Sequence, residues 1–354
     1  MVQNRHTNKG QICYVGALFY GSTAIHRANS LKALGYHVDL IDSTPNVKGI
    51  SKLLFKIFFR LRFPLDTNGN NREIISRFKN KIYHTLWLDK GVHILPKTLK
   101  KVKIIQPHCK IVGYSPDDML NPNNQSFQFL KSLHLYQVFL TTKSYNVREL
   151  LEMGARKVMF VANGYDPDIH KPLNLTDADF KKYNCQVGFV GGFELDRMNK
   201  MLDLANSGVE ITITGADWYG KIHHRKIIVR PYDVWGSDYA KVINATRINL
   251  CFLRRANRDL QTTRTVEIPA CKAFMLAERT DEHLDMFQEG YEAEYFSDSK
   301  ELIGKVKYYL THVSQIDIIA RRGYNRCVAS GYSNERRLKG VMDRICENSI
   351  AGLR

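Results

Sequence analysis

Apolar residues along this chain fall into short continuous runs separated by stretches of helical spacing. The run "QICYVGALF" (11–19) is rich in β-branched and aromatic residues. After it come a glycine-bearing loop, a helical pattern closing at Gly35, and a second run, "YHVDLID" (36–42). Strand, loop, helix, strand predicts the βαβ opening of a doubly wound sheet. Further strands are predicted at "KIVGYS" (110–115), "YQVFLTT" (136–142) and "KVMFVAN" (157–163).

The pattern then breaks at "GYDPDIHKPL", where Pro167 and Pro172 stiffen a connection, and restarts with "CQVGFVGGF" (185–193), "VEITITG" (209–215), "RINLCFL" (247–253) and "EAEYFS" (292–297). These runs predict an α/β chain of two successive doubly wound, Rossmann-like domains, over 1–170 and 171–330, with a cleft between them. A final helix over 331–354 is expected to pack back on the first domain. Ligands of such sheets bind beyond the carboxyl ends of the strands, so the cleft is the expected site.

Composition narrows the class. Of 354 residues, 44% are hydrophobic and 25% charged, which suits a globular protein. No apolar run reaches the roughly 18 residues of a spanning helix and no signal segment opens the chain, so a cytoplasmic protein is expected. Seven cysteines stand singly at 13, 109, 185, 251, 271, 327 and 346, without a CxxC pair, and are read as reduced and mostly buried. The net charge of +17 is uneven: residues 1–172 carry 25 Lys and Arg against 11 Asp and Glu, residues 173–354 carry 27 against 24. A basic first half points to an anionic partner, nucleic acid or a membrane surface. Nucleic acid is disfavoured, because no recognition helix or aromatic-plus-basic strand signature accompanies the charge.

In the second half, "LQTTRTVEIPACKAF" places Arg264 and Glu267 ahead of Pro269, which is best tolerated in the first turn of a helix. Thr262 and Thr263 are natural caps there. A helix tip with open N–H groups, reinforced by the fork of Arg264, suits a diphosphate, and Glu267 can accept two ribose hydroxyl protons. The alternative is a capped surface helix in which Arg264 and Glu267 pair locally.

The residues around this segment carry a family resemblance. Arg264, Glu267, Ala270 and Phe274 form an R-x-x-E-x-x-A-x-x-x-F pattern. It is followed by Glu292 and Phe296, by Glu301, Leu302, Lys305, Tyr308, Tyr309 and Leu310, and by Ala320, Gly323 and Arg326. This run resembles the C-terminal half of the spore-maturation-type (CgeB-like) glycosyltransferases, a branch of the GT-B superfamily. The resemblance is dense over about 185–330 and weaker in the first half. It implies the GT-B fold, two Rossmann-like domains facing a cleft, and a nucleotide-sugar-dependent glycosyltransferase with the acceptor side in 1–170, the donor in 171–330, Glu267 on the ribose, and no metal cofactor. Asp259 stands eight positions before Glu267, a D-x7-E where retaining GT-B enzymes usually show E-x7-E, so retention or inversion stays open. Gly191 and Gly192 let a phosphate or sugar approach the backbone. Arg197 resembles the basic residue aimed at the diphosphate, and Trp218 could stack on the base. The pair His223–His224 has no carboxylate at ligand spacing, so no metal site is expected.

On the acceptor side Asp117 and Asp118, in "VGYSPDDML", are candidate bases for an acceptor hydroxyl, with His26 as a rival. In "KGISKLLFKIFFRLRF" (48–63), Ile50, Leu53, Leu54, Ile57, Phe58 and Leu61 share one helical arc. Lys52, Phe55, Lys56, Phe59 and Arg60 fall on another, as an interfacial membrane helix would have them. The partners expected are thus a nucleotide-sugar donor, a glycan or lipid-linked acceptor, and an anionic membrane surface reached from the cytoplasm. Competing readings are a nucleotide-sugar epimerase or hydrolase on the same fold, and a non-enzymatic basic protein that binds membrane or nucleic acid.

Overall fold

The computed structural model describes residues 9–347, with side chains to Ile345. The chain divides into two compact units, one running to Ala162 and resuming at Asn334, the other Asn163–Ser333.

In the first unit the strands are β1 (Gln11–Gly16), β2 (His37–Asp42), β3 (Thr85–Asp89), β4 (Lys110–Ser115), β5 (Val138–Thr141) and β6 (Val158–Phe160), all parallel in the order 2-1-3-4-5-6. β3, "TLWLD", is a five-residue run whose every residue is buried, as a central parallel strand requires. The strand order reverses between β1 and β3, which leaves a crevice beyond Gly16 and Asp89. The helix Asn334–Glu347 returns to this unit. Its Leu338, Val341, Met342 and Ile345 pack with Ala28, Leu31 and Leu34 on and just after the helix Thr23–Ala33.

The second unit repeats the architecture with β7 (Cys185–Val190), β8 (Ile211–Thr214), β9 (Ile227–Arg230), β10 (Thr246–Cys251), β11 (Met275–Glu278) and β12 (Glu294–Phe296), parallel in the order 12-11-10-7-8-9. Its switch point lies between β7 and β10. Gly323, in the helix Val313–Ala329, is a packing glycine: a Cβ there would stand 2.3 Å from the Glu292 carbonyl oxygen. Its neighbour in the motif, Arg326, donates to the Met286 carbonyl at 3.1 Å, so this part of the family-like pattern holds the fold. Among the described residues six cysteines stand outside any disulfide, five of them buried, and burial pushes the Cys13 thiol up to about 12; the Cys346 side chain lies outside the described residues.

The helix Gly49–Arg60 departs from expectation. None of its twelve residues is buried. The aliphatic arc faces solvent, while half-buried Phe55 and Phe59 turn inward and line a cavity. Lys52, Lys56 and Arg60 are exposed, but the two rings are not part of the outward face.

Candidate donor site

At the switch point of the second unit, Gly191 and Gly192 follow β7, and Phe252 and Leu253 follow β10. Two arginines converge on these four residues. Arg197, on the helix Leu195–Asn206, is 2% exposed and donates from Nε to the Leu253 carbonyl (3.2 Å), from Nη1 to that of Gly192 (2.9 Å) and from Nη2 to that of Phe252 (3.5 Å). Arg264, the first residue of the helix Arg264–Ala270, reaches the same Phe252 carbonyl through Nη2 (3.5 Å), and its buried Nε has no partner. Both guanidinium carbons stand over the Phe189 ring, 5.4 and 5.5 Å from its centroid.

Among the described residues neither arginine has a carboxylate within ion-pair distance; their partners are neutral carbonyls and one aromatic face. Burial, reinforced by the charge of Arg264, pushes Arg197 down to about 10. A cation whose pKa falls through burial and a like neighbour is under-compensated, and the arrangement is stabilised by whatever brings negative charge to it. Gly191 keeps the approach open: at φ +153° its missing Cβ would lie 3.1 Å from Arg264 Nη1 and 2.9 Å from Phe189 Cζ.

Glu267 does not pair with Arg264. It is buried, its Oε2 accepts the Tyr239 hydroxyl at 2.8 Å, and its Oε1 lies 3.6 Å from His170 Nε2. Burial first, then the Glu267 charge, raises the Tyr239 phenol well above its ordinary value, so it stays a donor and fixes the carboxylate's orientation. Neither Tyr239 nor His170 stood out in the sequence as a partner of Glu267.

The helix start corrects three expectations. Thr263 occupies the cap position in helical backbone and makes no side-chain cap, and the N–H groups of Thr265, Val266 and Glu267 bond to the carbonyls of Thr262 and Thr263. Those donors are therefore occupied within the chain, and the cationic character of the site comes from the arginine side chains. Pro269 sits in the second turn of this helix, not the first. In place of a threonine cap there is a relay. The Thr262 N–H donates to Thr265 Oγ1 (3.0 Å), which lies 2.8 Å from His283 Nε2, while His283 Nδ1 lies 2.6 Å from the Glu278 carbonyl. A carbonyl only accepts, so Nδ1 carries the proton and Nε2 accepts from the threonine.

Burial pushes His283 down to about 4, so it is neutral in the fold. Because the folded value lies below the ordinary 6.5, the unfolded chain binds more protons between pH 6.5 and 4, and stability is full above 6.5 and falls as pH drops to 4. Urea denaturation should give a midpoint that falls across this window. In His283→Gln that part of the fall should be missing, with the variant less stable at pH 7.

Asp259 is buried in a turn, accepting the Arg254 N–H at 3.3 Å and Asn257 Nδ2 at 2.8 Å, so it organises its own loop. Trp218 is corrected to a packing residue. It is fully buried, its Nε1 donates to the Gly191 carbonyl at 2.7 Å, and its ring meets Phe189 and Phe193 edge-on, leaving no face for a base.

In the first unit a cavity of about 390 Å³ lies beyond β1 and β3 at that sheet's own switch point. Asp117, ion-paired to Lys90, lines it with His93 and the buried pair Arg27–Asp89, whose Nε to Oδ2 distance is 2.7 Å. Burial lowers the His93 pKa, and its Nε2 lies 2.9 Å from Asn70 Oδ1. Asp118 is buried away from this lining, its Oδ1 accepting from the Leu120 N–H and Asn146 Nδ2, both at 3.0 Å. His26 is likewise buried, and absent from the lining. Of the three candidate bases only Asp117 faces the cavity.

The fold so described is that of the GT-B glycosyltransferases, and a family model described as glycosyl transferase-like matches residues 197–343, the part that carries the arginine pair and Glu267. Among solved structures, HepE of Anabaena in complex with UDP-glucose is similar at 12% identity over 96% of this chain and 100% of its own, with a TM-score of 0.61. Sucrose-phosphate synthase from Thermosynechococcus elongatus is similar at 10% identity over 97% and 100%, with a TM-score of 0.64. A glycosyltransferase from Rickettsia africae is similar at 14% identity over 96% and 98%, with a TM-score of 0.61. No curated protein matches the chain in sequence.

Proposed function

We propose that this protein is a GT-B glycosyltransferase, of the CgeB-like branch its motif resembles, that moves a sugar from a nucleoside-diphosphate sugar to a glycan or lipid-linked acceptor. One observation carries the reading: two guanidinium groups without carboxylate partners converge on the carboxyl ends of β7 and β10, with a clamped glutamate one turn further along. The arginines take the diphosphate and stabilise the charge that grows on it as the glycosidic bond breaks, so no metal cofactor is required. Glu267 accepts the ribose hydroxyls, held for that task by Tyr239. Asp117 accepts the proton of the acceptor hydroxyl, and the protein works peripherally at the cytoplasmic face of a membrane.

The test is calorimetric titration with UDP, GDP, dTDP and CDP, then assay of diphosphate release from the corresponding nucleotide sugars with and without acceptor glycans. UDP comes first, since HepE is described in complexes with UDP, UDP-glucose, and UDP and glucose. Selective binding of one diphosphate and acceptor-dependent release are expected. Binding of none, or salt-sensitive binding of oligonucleotides instead, refutes the reading.

A further inference from the structure

The helix Gly49–Arg60 presents three different arcs. Outward stand Ile50 (81% exposed), Leu53 (60%), Leu54, Ile57 and Phe58, and the row continues past the helix with Leu61 (58%). Inward, Phe55 and Phe59, ring centroids 6.1 Å apart, form one wall of the 390 Å³ cavity. On the flank between them Lys52, Lys56 and Arg60 recur every fourth residue, all exposed, and among the described residues none of the three pairs with a carboxylate. A helix that keeps its aliphatic arc in water while lysines and an arginine flank it leaves apolar area uncovered, which a solvated surface does not account for.

We propose that this helix lies in the interface of an anionic membrane on its aliphatic row, so that an acceptor with an apolar tail reaches the cavity behind it along Phe55 and Phe59. Charge argues for lipid over a second protein copy. The exposed flank is wholly basic and belongs to a half of the chain with 25 Lys and Arg against 11 Asp and Glu, so a like copy would meet it with repulsion, whereas anionic headgroups attract it. Length argues for lying on the membrane: twelve residues do not span it, and no helix among the described residues is long and apolar enough to cross one. The cavity fits an amphiphile, with Phe55, Phe59 and Leu65 for the tail and Asp117, Lys90 and His93 for the hydroxyls of the sugar to be extended. The acceptor part of this inference rests on the transferase reading; membrane docking does not.

The test is flotation of the full chain with phosphatidylcholine vesicles made with and without phosphatidylglycerol, alongside UDP titration of the same samples. The wild type is expected to float with the anionic vesicles and about tenfold less with the neutral ones, K52E/K56E to lose that preference, and I50D/L53D to float with neither. Ile50 and Leu53 are exposed and lie in the other unit from the donor site, so UDP affinity should be unchanged in both variants. For the cavity, n-octyl glucoside below its micelle concentration should bind at least about tenfold tighter than methyl glucoside, and Phe55→Ser should remove the difference. Absence of wild-type flotation, flotation undiminished in I50D/L53D, or a wild-type dimer without flotation that I50D/L53D makes monomeric would each overturn the docking. Equal binding of the two glucosides would overturn the acceptor class. Flotation without UDP binding would instead fault the donor reading and leave the docking standing.

Discussion

Arg264→Ala is expected to weaken binding of the cognate nucleoside diphosphate by a few hundred-fold while leaving the unliganded protein as stable as the wild type or more so. The first half follows from the hydrogen bonds lost. Arg264 holds a neutral carbonyl at a long 3.5 Å and leaves Nε without a partner, so most of its donor capacity is free for a ligand. Two charge-assisted bonds to a phosphate are worth roughly 3–4 kcal/mol together in a half-buried site, a factor of a few hundred in affinity. The second half follows from repulsion. Arg264 is one of the causes that lower Arg197, so its removal relieves a like charge and costs the empty fold little. Titration calorimetry gives the first quantity and urea denaturation without ligand the second. Arg264→Lys keeps the charge and loses the fork, and should fall between. A variant that loses stability along with affinity would mean that Arg264 holds the fold and not the ligand.

The residues proposed for the donor site are read from local sequence signals, while the partners the fold gives them are not. Arg264 and Glu267 lie three apart on one short segment, and Gly191, Gly192 and Arg197 lie within seven residues at a strand end. Such signals are local, and strand-then-glycine is readable wherever a sheet's carboxyl edge must admit a ligand. What escaped notice is long-range. Tyr239 meets Glu267 across 28 positions, His170 meets it across 97, and His283 meets Thr265 across 18. The threonine cap fails for a related reason: the segment offers three threonines, and the one whose side chain bonds the backbone ahead of the helix, Thr265, is held by a histidine from another helix.

The 49–60 helix shows a different limit. Its arcs divide as periodicity predicts, but periodicity says which arc is apolar and not which arc the rest of the protein covers. Here the covered arc carries two phenylalanines and the open one the aliphatics. Trp218 illustrates the same point, since a tryptophan after a strand reads alike whether it faces a ligand or, as here, plugs the base of the loop that bears Gly191. β3 escapes the sequence pattern because "TLWLD", three apolar residues between a threonine and an aspartate, does not distinguish a strand from a buried turn of helix. It is nonetheless the strand that ends on Asp89 and opens the first unit's cavity.

Gly191→Ala should then abolish nucleotide binding nearly as fully as removing Arg264, by geometry in place of charge. Three facts fix the size of the effect. The backbone there sits at φ +153°, a region side chains rarely adopt, and forcing alanine into it costs on the order of 1–3 kcal/mol. The new methyl would stand 2.9 Å from Phe189 Cζ and 3.1 Å from Arg264 Nη1, so the ring, the guanidinium or the loop has to move. The loop is poorly placed to yield: the Gly191 N–H bonds the Thr214 carbonyl at 3.1 Å, and its own carbonyl takes the Trp218 indole. Arg264, tethered by one long bond, is the group that gives way, and it swings out of the place proposed for the diphosphate. Affinity for the diphosphate is expected to fall at least about a hundred-fold, with a loss of about 2 kcal/mol in stability from the backbone strain. Gly192→Ala is the control. Its Cβ would meet no protein atom closer than Asp217 Oδ2 at 3.5 Å, so the unliganded fold should keep wild-type stability, and any loss of affinity reports the ligand's approach to the backbone. If both variants bind as the wild type does, the space between β7 and β10 is not where the nucleotide lies, and the roles given to Arg197, Arg264 and Glu267 fall with it.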